Sequence, residues 1–469
     1  MALSRRQFVS ISGTTLAATA LESCFRAIGS RSISKSVGAD GLRPERFNTT
    51  QFGTPRFGPL QRDPNRILDL PAGLTYRVIS QVGDVMESGH RVPNAFDGMG
   101  AFAGANGQII LVRNHELLPS SPMGVVSPSP YDGRAKGGTT TLVVSPERSL
   151  IRQFPSLSGT CRNCAGGTTP WGTWISCEED VSTPAANALT NPTNVTQAHG
   201  YAFEVPAAED LSRFSMDAPA PLKAMGRFRR EAIAIDPRTG IVYQTEDQED
   251  GLFYRFIPEV PGNLAAGGQL QALHLRDRPQ AATQSGMAIG QSFEVDWVPI
   301  SEPDPSDDTV RLEGQQQGAT RFARGEGICY SDGHIYFTCT TGGDVPHGQV
   351  WKYSPGFLAS AITPSSESSE TPPSDTLELI VQPNNRRVLD YPDNLIMAPW
   401  GDLLLCEDGL NEQFVIAATP EGSLYPIARN ALNNSEFAGI CAAPDGQTLF
   451  LNIYSPGLTL AIWAEAGWS

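Results

Sequence analysis

The sequence has few histidines and lacks the short motifs of several common enzyme classes. Six histidines occur in 469 residues, and none forms a His-Glu-x-x-His or His-x-x-x-His pair, which disfavours the usual zinc hydrolases. There is no Gly-x-Ser-x-Gly elbow, no Walker phosphate loop and no Gly-x-Gly-x-x-Gly dinucleotide motif. Nothing therefore points to a serine hydrolase, a nucleotide triphosphatase or a dehydrogenase.

Positive charge and long apolar runs are also scarce. The formal net charge is −16, which argues against a nucleic acid as a structural partner. After the N-terminal leader, no stretch is long and apolar enough to span a bilayer. The eight cysteines include Cys161-Arg-Asn-Cys164, which has no second pair at zinc-finger spacing. A disulfide between these two cysteines stays open at this point.

The N-terminus reads as an export signal. Ser4-Arg-Arg-Gln-Phe-Val9 precedes an uncharged apolar run that ends at Leu21 and is too short to be a membrane helix. We assign residues 1–30 to a twin-arginine signal peptide, 31–63 to a flexible leader and 64–469 to the folded domain. The twin-arginine machinery is then a partner, and the location is periplasmic or extracellular. Glu22 makes a poor lipoprotein cleavage box, so lipidation at Cys24 is not expected.

Composition and an internal repeat predict an all-β fold. The chain is 40% hydrophobic and contains 46 glycines and 37 prolines, a turn-rich composition typical of β proteins. One pattern recurs six times: a small or acidic residue, an apolar strand, a glycine turn, a second apolar strand, and polar or acidic residues. We predict a single β-propeller, most simply of six blades with inserted loops. The turn glycines of the six units are Gly107, Gly172, Gly240, Gly333, Gly401 and Gly446. We also predict that Leu70–Ser80 forms one strand and completes a blade with the last strand, Leu458–Trp463, which removes an open edge.

Acidic residues open or close these paired strands. In a propeller the first strand of each blade lines the central channel, so such residues converge at one mouth. Carboxylates crowded together repel one another unless cations neutralise them, and several bound metals are therefore expected. The opening acids are Asp97, Glu231, Glu326, Asp393 and Glu436; the closing acids are Glu116, Glu178, Glu179, Glu246, Asp247, Glu407 and Asp408.

The second unit adds sulfur to this set. Its turns, Gly166-Gly167 and Pro170-Trp171-Gly172, flank a short strand that ends in Cys177, Glu178 and Glu179. A thiolate beside hard oxygen ligands suits a thiophilic metal held next to calcium-like ions. The alternative for Cys177 is a buried structural cysteine followed by a solvated acidic turn.

Nine segments together form a recognisable pattern. They are Leu70–Ser80, Gly83–Met86, Val92–Met99, Asn114-His-Glu116, Asn163–Glu179, Gly226–Ala232, Thr245-Glu-Asp247, Asp250–Phe256 and Leu460-Ala-Ile-Trp463. With these segments the chain resembles the PhoX-type alkaline phosphatase family from about Leu70 to the C-terminus. The resemblance implies a secreted, monomeric propeller that hydrolyses small phosphomonoesters with an iron and calcium cofactor. One departure is Arg230, where relatives commonly carry a histidine.

The predicted site combines both lines of reasoning. The resemblance implies that Cys177 binds iron and that acids including Glu178, Glu179, Glu231 and Glu326 hold the metals. We add Glu246, Asp393 and Glu407 as oxygen ligands, and Asn114 with Arg229 or Arg230 as phosphate contacts, since a guanidinium matches phosphate oxygens. Two alternatives stay open. One is a calcium-dependent lactonase or esterase, for which Cys177 is dispensable; the other is a non-catalytic metal- or carbohydrate-binding propeller.

Overall fold

The computed structural model describes residues 53–184, 194–210, 219–356 and 374–468. Regular structure in these ranges is almost entirely β, as the composition predicted, with one α-helix, α1 (Val310–Gln316), and short 3₁₀ turns at Ala105–Gly107 and Lys223–Met225. No helix in the described ranges is long and apolar enough to cross a bilayer. The predicted twin-arginine motif, Cys24 and most of the leader lie outside the described residues.

The strands are numbered in chain order. The first are β1 (Leu60–Gln61), β2 (Leu68–Pro71), β3 (Leu74–Gln81), β4 (Phe96–Ala103), β5 (Ile109–His115), β6 (Gly137–Val144), β7 (Leu150–Thr160), β8 (Asn163–Thr168), β9 (Thr173–Glu178), β10 (Ala202–Pro206), β11 (Arg230–Ile235), β12 (Val242–Glu246) and β13 (Gly251–Val260). They continue with β14 (Asn263–Leu275), β15 (Ser292–Pro299), β16 (Arg321–Phe322), β17 (Gly325–Ser331), β18 (His334–Cys339), β19 (Gln349–Ser354), β20 (Thr376–Val381), β21 (Pro392–Met397), β22 (Leu403–Glu407), β23 (Phe414–Ala418), β24 (Leu424–Asn430), β25 (Phe437–Ala442), β26 (Leu449–Ile453) and β27 (Leu458–Ala464).

These strands form five antiparallel sheets in a propeller-like arrangement. Four are small, with the orders β4-β5-β6-β7, β8-β9-β10, β21-β22-β23-β24-β2-β1 and β25-β26-β27-β3. The fifth has ten strands, in which β11 to β15 continue through β20, β19 and β18 to β17, and β16 pairs with β13. Pairing of β15 with β20 thus joins two of the predicted units into one sheet. The blade number of six stays a prediction.

The first strands of the six predicted units surround the centre. These strands, β4, β8, β11, β17, β21 and β25, lie side by side in this order, and β25 returns to β4. Their close approach requires glycine: a Cβ added to Gly98 would lie 2.4 Å from the Cα of Ala165, and one added to Gly439 would lie 2.2 Å from the Asp97 carbonyl oxygen. All six turn glycines have positive φ, between 68° and 93°, which confirms the reason for glycine there.

The two ends of the described chain complete sheets begun by the other end. Strand β3 pairs with β27, as predicted, which removes an open edge. The segment predicted as one strand from Leu70 to Ser80 is divided at Gly73, whose φ is 84°. Its first part, β2, pairs instead with β24. Strand β1 pairs with β2 and lies inside the predicted flexible leader, so the folded domain begins before residue 64.

Apolar side chains pack between neighbouring sheets and hold the six first strands in place around the centre. One cluster joins β22 to β24 with β25 to β27 around Leu404, Leu451 and Leu460, all fully buried. Another joins β11 to β15 with β17 to β20 around Phe337 and Trp351. Burying such a side chain stabilises a fold by roughly 1.5–3 kcal/mol. The first strands are therefore held on both sides, and their N-terminal ends are brought to one place.

Candidate metal centre

We call the second residue of each first strand the ring position. The pairing register shifts at or just after this position in all six strands, which marks a β-bulge or irregularity there. Bulges re-aim side chains and are common beside active sites. Five of the six ring positions carry an acid or a thiol. The residues at the ring position are Asp97, Cys164, Glu231, Glu326, Asp393 and Ala438.

We call the residue just after each second strand the exit position, and the residue just before each first strand the entry position. In every unit the backbone N–H of the exit residue donates to the backbone carbonyl of the entry residue at 2.9–3.2 Å. This repeated bond gives six equivalent corners around one mouth. The exit residues are Glu116, Glu179, Asp247, Thr340, Asp408 and Tyr454; the entry residues are Ala95, Arg162, Arg229, Arg324, Tyr391 and Glu436.

Ring and exit residues form three overlapping groups suited to metal ions. Within each group the potential ligand atoms all lie within 4.8 Å of one another, and every member is buried. Neighbouring groups share a residue, so the three form one continuous centre. The groups are Asp97 with Glu116 and Cys164, Cys164 with Glu179 and Glu231, and Glu231 with Glu326 and Asp393.

The Cys164 thiol lies between two carboxylates of this centre. Its Sγ is 3.0 Å from Oε1 of Glu231 and 3.4 Å from Oδ2 of Asp97. Two groups thus combine sulfur with oxygen, and the third contains oxygen alone. Soft sulfur ligands favour transition metals such as iron, whereas carboxylate sets favour calcium. The donor chemistry fits both kinds of metal.

The charge of the centre also fits bound cations. Six carboxylates belong to the three groups, and none of these residues is more than 6% exposed. Carboxylates this close and this dry repel one another strongly unless positive charge lies among them. Two arginines supply part of it. Arg162 donates to Oε1 of Glu116 at 2.5 Å and lies 3.1 Å from Oε2 of Glu179; Arg324 pairs with Asp247 and Glu326.

Both arginines occupy the entry position, in a backbone conformation uncommon for side-chain-bearing residues. Arg162 has φ of 47° and Arg324 has φ of 54°. Non-glycine residues held with positive φ cluster at functional sites. Arg229 occupies the same corner of the intervening unit. It makes no salt bridge among the described residues, and its buried Nε has no hydrogen-bond partner. Arg229 is thus the entry arginine whose guanidinium is not committed to the carboxylates.

The structure places Cys177, the predicted thiolate ligand, outside the three groups. Cys177 lies on the face of β9 shared with Ile175, because side chains alternate along a strand, and both pack in an apolar cluster that includes Ala202 and Phe228. Burial raises the pKa of the Cys177 thiol to about 12. Cys177 thus has the surroundings of a buried structural cysteine, although the acids that follow it are also buried, and Cys164 is the thiol that lies among the grouped acids. Cys161 and Cys164 are both free, so the disulfide left open is not formed.

Glu178 is not one of the grouped acids, although its neighbour Glu179 is. Its carboxylate accepts the backbone N–H groups of Cys161, Gly200 and Tyr201 at 2.8–3.1 Å and lies 2.6 Å from Nδ1 of His199. Burial lowers the pKa of His199, but the adjacent Glu178 and Asp132 raise it by more. Glu178 therefore anchors loops behind the centre as part of a buried ion pair.

Glu246 and Glu407 also hold loops. Glu246 accepts from the Tyr254 hydroxyl at 2.7 Å and the Leu252 N–H at 3.1 Å. Burial raises the pKa of Glu246 to about 7. Glu407 accepts the backbone N–H groups of Asp390 and Phe414 at 2.9 and 3.2 Å. Both end a second strand, one residue before the exit position, so the alternation of side chains turns them away from the ring.

Asn114 and Arg230 are both buried, and their side-chain polar atoms are hydrogen-bonded within the protein. Asn114 donates to the carbonyls of Cys164 and Ala165 at 3.1 and 2.7 Å, and its oxygen accepts from Trp174 and Ser176. Asn114 thereby fixes the bulge that carries Cys164.

Arg230 donates to Gln244 and to the carbonyls of Gly200, Met225 and Gly226, and its guanidinium stacks over a phenyl ring. Burial lowers its pKa. Every side-chain nitrogen is engaged, so the neighbouring Arg229 is the better candidate of the predicted pair.

The predicted ligands thus divide into two sets. Glu179, Glu231, Glu326 and Asp393 are brought together in the three groups, whereas Cys177, Glu178, Glu246 and Glu407 are not. Sequence reasoning placed Asp97 and Glu116 at the mouth without choosing them as ligands, and it missed Cys164, Arg162 and Arg324. A signal was present: Cys164, like Asp97 and Glu231, is the second residue of its first strand.

Comparison with known proteins gives one family. The family model for alkaline phosphatase PhoX matches residues 55–152 and 125–457. The sequence matches no curated protein. Among solved structures, Pseudomonas fluorescens PhoX in complex with vanadate, a transition state analogue, is 17% identical, with a TM-score of 0.66 over 86% of this chain and 97% of that chain. A gluconolactonase from Xanthomonas campestris is 10% identical, with a TM-score of 0.36 over 83% and 97% of the two chains.

Proposed function

The chain belongs to the PhoX family of alkaline phosphatases and is a phosphomonoesterase, and from this premise we propose that it hydrolyses small phosphate esters with iron and calcium held in the buried ring. The observation that carries the proposal is the set of three overlapping ligand groups at one mouth, two with sulfur and one with oxygen alone. Carboxylates packed at this density are stable only with cations among them.

The donor sets suggest which metal each group would hold. Cys164 is shared by two groups, which makes them the place for iron; Asp97, Glu116, Glu179 and Glu231 supply the remaining ligands there. The group of Glu231, Glu326 and Asp393 contains only carboxylates and suits calcium. Bound metals would neutralise phosphate oxygens and lower the pKa of a water molecule, the two requirements of phosphoester hydrolysis.

The chain's own contribution is to orient the ester. Arg229 stands at the mouth between Arg162 and Arg324 in the order of the units, and it is the one of the three not paired with a carboxylate among the described residues. A planar guanidinium donates two parallel N–H bonds to phosphate oxygens. We assign Arg229 to this contact. Because the ring is buried, the phosphoryl group would enter a dry site, in which each electrostatic contact is stronger than in water.

The wider setting follows from the sequence. The twin-arginine motif at residues 4–9 supports export of a folded, metal-loaded protein to the periplasm or beyond. A six-bladed propeller is supported by the six neighbouring first strands and the six equivalent entry–exit bonds. We expect a monomer that acts on small phosphate esters, and the net charge of −16 disfavours a nucleic acid as a structural partner.

The test is hydrolysis of p-nitrophenyl phosphate by protein exported from cells, before and after calcium chelation, beside hydrolysis of δ-valerolactone. Release of p-nitrophenol that disappears on chelation and returns with calcium supports the proposal. Lactone opening without phosphate release would replace it with the lactonase alternative. Activity on neither substrate, with metals bound, would leave a binding propeller.

A further inference from the structure

Arg162 connects two acids that belong to different ligand groups. Its guanidinium donates to Oε1 of Glu116 at 2.5 Å and lies 3.1 Å from Oε2 of Glu179. Glu116 shares its group with Cys164 and Asp97; Glu179 shares its group with Cys164 and Glu231. The two acids follow strands of different sheets, β5 and β9. One side chain therefore spans the seam between two units, with Cys164 common to both groups.

The backbone of Arg162 holds the same two segments. Its N–H donates to the carbonyl of Leu117, the residue after Glu116, at 3.0 Å, and its carbonyl accepts the N–H of Glu179 at 2.9 Å. Arg162 thus contacts each of the two segments through both its backbone and its side chain. The φ of 47° lets Arg162 make all these contacts at once. Holding a non-glycine residue there costs of order 1 kcal/mol or more, which the surrounding bonds offset.

Burial makes this arrangement specific to arginine. The side chains of Arg162, Glu116 and Glu179 are 17%, 2% and 4% exposed. Both contacts are made by one nitrogen, Nη2. Its two N–H bonds have fixed directions in the guanidinium plane, whereas an ammonium is a point charge on a flexible stem. A related arrangement occurs in the fourth unit, where Arg324 makes two bonds to the exit residue Asp247 and also pairs with the ring residue Glu326. Its recurrence at an equivalent corner indicates that the geometry is a property of the repeat.

We propose that Arg162 is a positioning residue that sets how tightly the two Cys164-containing groups bind metal, by fixing Glu116 and Glu179 on either side of the thiol. The inference rests on the metal centre of the proposed function and adds a residue that belongs to none of the three ligand groups. Partners that orient metal ligands typically contribute about 10- to 100-fold in metal affinity or activity.

The test uses the Arg162→Lys and Arg162→Met variants of the exported full-length chain, loaded with iron and calcium. Metal dissociation constants are measured by competition with chelators, and the absorption band of thiolate-bound iron is recorded. Arg162→Lys keeps the charge but loses the planar guanidinium. We expect this variant to bind iron about tenfold more weakly and to shift the absorption band, and to retain calcium in the all-carboxylate group. The inference is overturned if this variant binds iron as the natural chain does.

A matched control is Arg238→Lys. Arg238 also makes a two-point contact with one carboxylate, at 2.9 and 2.7 Å from the oxygens of Asp236, but at the far end of β11 from the ring. It should leave iron affinity unchanged; an equal loss in both variants would overturn the specific role of Arg162. If Arg162→Met does not fold, because two buried acids lose their partner, the lysine variant decides alone.

Metal affinity is measured without substrate, so this test is separate from that of the proposed function. A natural chain that binds iron and calcium but releases no phosphate would contradict the proposed function and leave the role of Arg162 intact. A chain that binds neither metal would overturn both.

Discussion

The two cysteines of the second unit provide the sharpest test of how the chain uses sulfur. Cys164 and Cys177 are both fully buried, and they lie 13 positions apart in the sequence. The Cys164 thiol lies 3.0 Å from a carboxylate oxygen of Glu231, whereas Cys177 packs against Ile175 and Ala202. Serine replaces sulfur by oxygen in each, with little change in size, so that one substitution changes the proposed ligand and the other changes packing.

The expected magnitudes differ in kind. Cys177→Ser places a hydroxyl in an apolar cluster, at a cost of about 1–3 kcal/mol in the free energy of unfolding, and should leave metal content and kcat near those of the natural chain. Cys164→Ser removes the soft ligand from two groups. Since even outer partners of metal ligands contribute about 10- to 100-fold, we expect more than about 100-fold loss of iron affinity and of phosphatase activity.

The assay pairs chemical denaturation with metal content and p-nitrophenyl phosphate kinetics for both variants. If Cys177→Ser loses iron while Cys164→Ser keeps it, Cys164 is not the iron ligand. The face of β9 that carries Cys177 would then have to be the metal-binding face. Equal loss in both would contradict the division between ligand and core.

Three further predictions follow from other parts of the structure. Arg229→Gln should lower kcat/KM about 10- to 100-fold with metal content unchanged, since a charged hydrogen bond to phosphate is worth about 1.5–3 kcal/mol. The control, Arg230→Gln, should instead lower the free energy of unfolding. If Arg229→Gln lowers only the free energy of unfolding in denaturation, Arg229 does not contact phosphate. Burial raises the pKa of Glu246 from 4.5 to about 7, so its contribution to stability is fully present below pH 4.5 and is lost as pH rises through 7. Glu246→Gln, which mimics the neutral acid, should therefore gain up to about 3 kcal/mol over the natural chain between pH 4 and pH 8.5 in urea denaturation, and a pH-independent difference would contradict the shift. Removal of metals should lower the midpoint of thermal unfolding more at pH 8 than at pH 4, because protonation at pH 4 relieves the repulsion between the ring acids. Scanning calorimetry with and without chelator measures the two midpoints. Equal losses at both pH values would argue against charge repulsion.

Much of the fold could be predicted from the sequence because the repeat is local. Each unit places two apolar strands around a turn glycine, and the positive φ of Gly107, Gly240 and Gly401 is the reason that glycine stands there. The pairing of the last strand with an early one was predicted from the need to remove an edge. The split of the early segment at Gly73, which sends β2 to another sheet, was not, because a single glycine between two strand-like stretches does not reveal that it adopts a φ of 84°.

The site was predicted in outline and missed in detail for the same kind of reason. Acids at strand ends converge in a propeller, which is why Glu231, Glu326 and Asp393 meet. Which side chain of a strand end faces the ring depends on a one-residue alternation and on the bulge. In the structure these features leave Cys177, Glu178 and Glu407 outside the three ligand groups. The arginine corners depend on a single repeated backbone bond that composition and spacing do not reveal.

The central claim is that the buried ring holds iron through the Cys164 thiolate beside calcium. The most direct measurement is metal analysis of the exported full-length protein, with iron and calcium counted per chain and the iron neighbours identified by X-ray absorption. We predict both metals and an iron–sulfur contact that disappears in Cys164→Ser and persists in Cys177→Ser. Calcium without iron, or iron with no sulfur neighbour, would contradict the account.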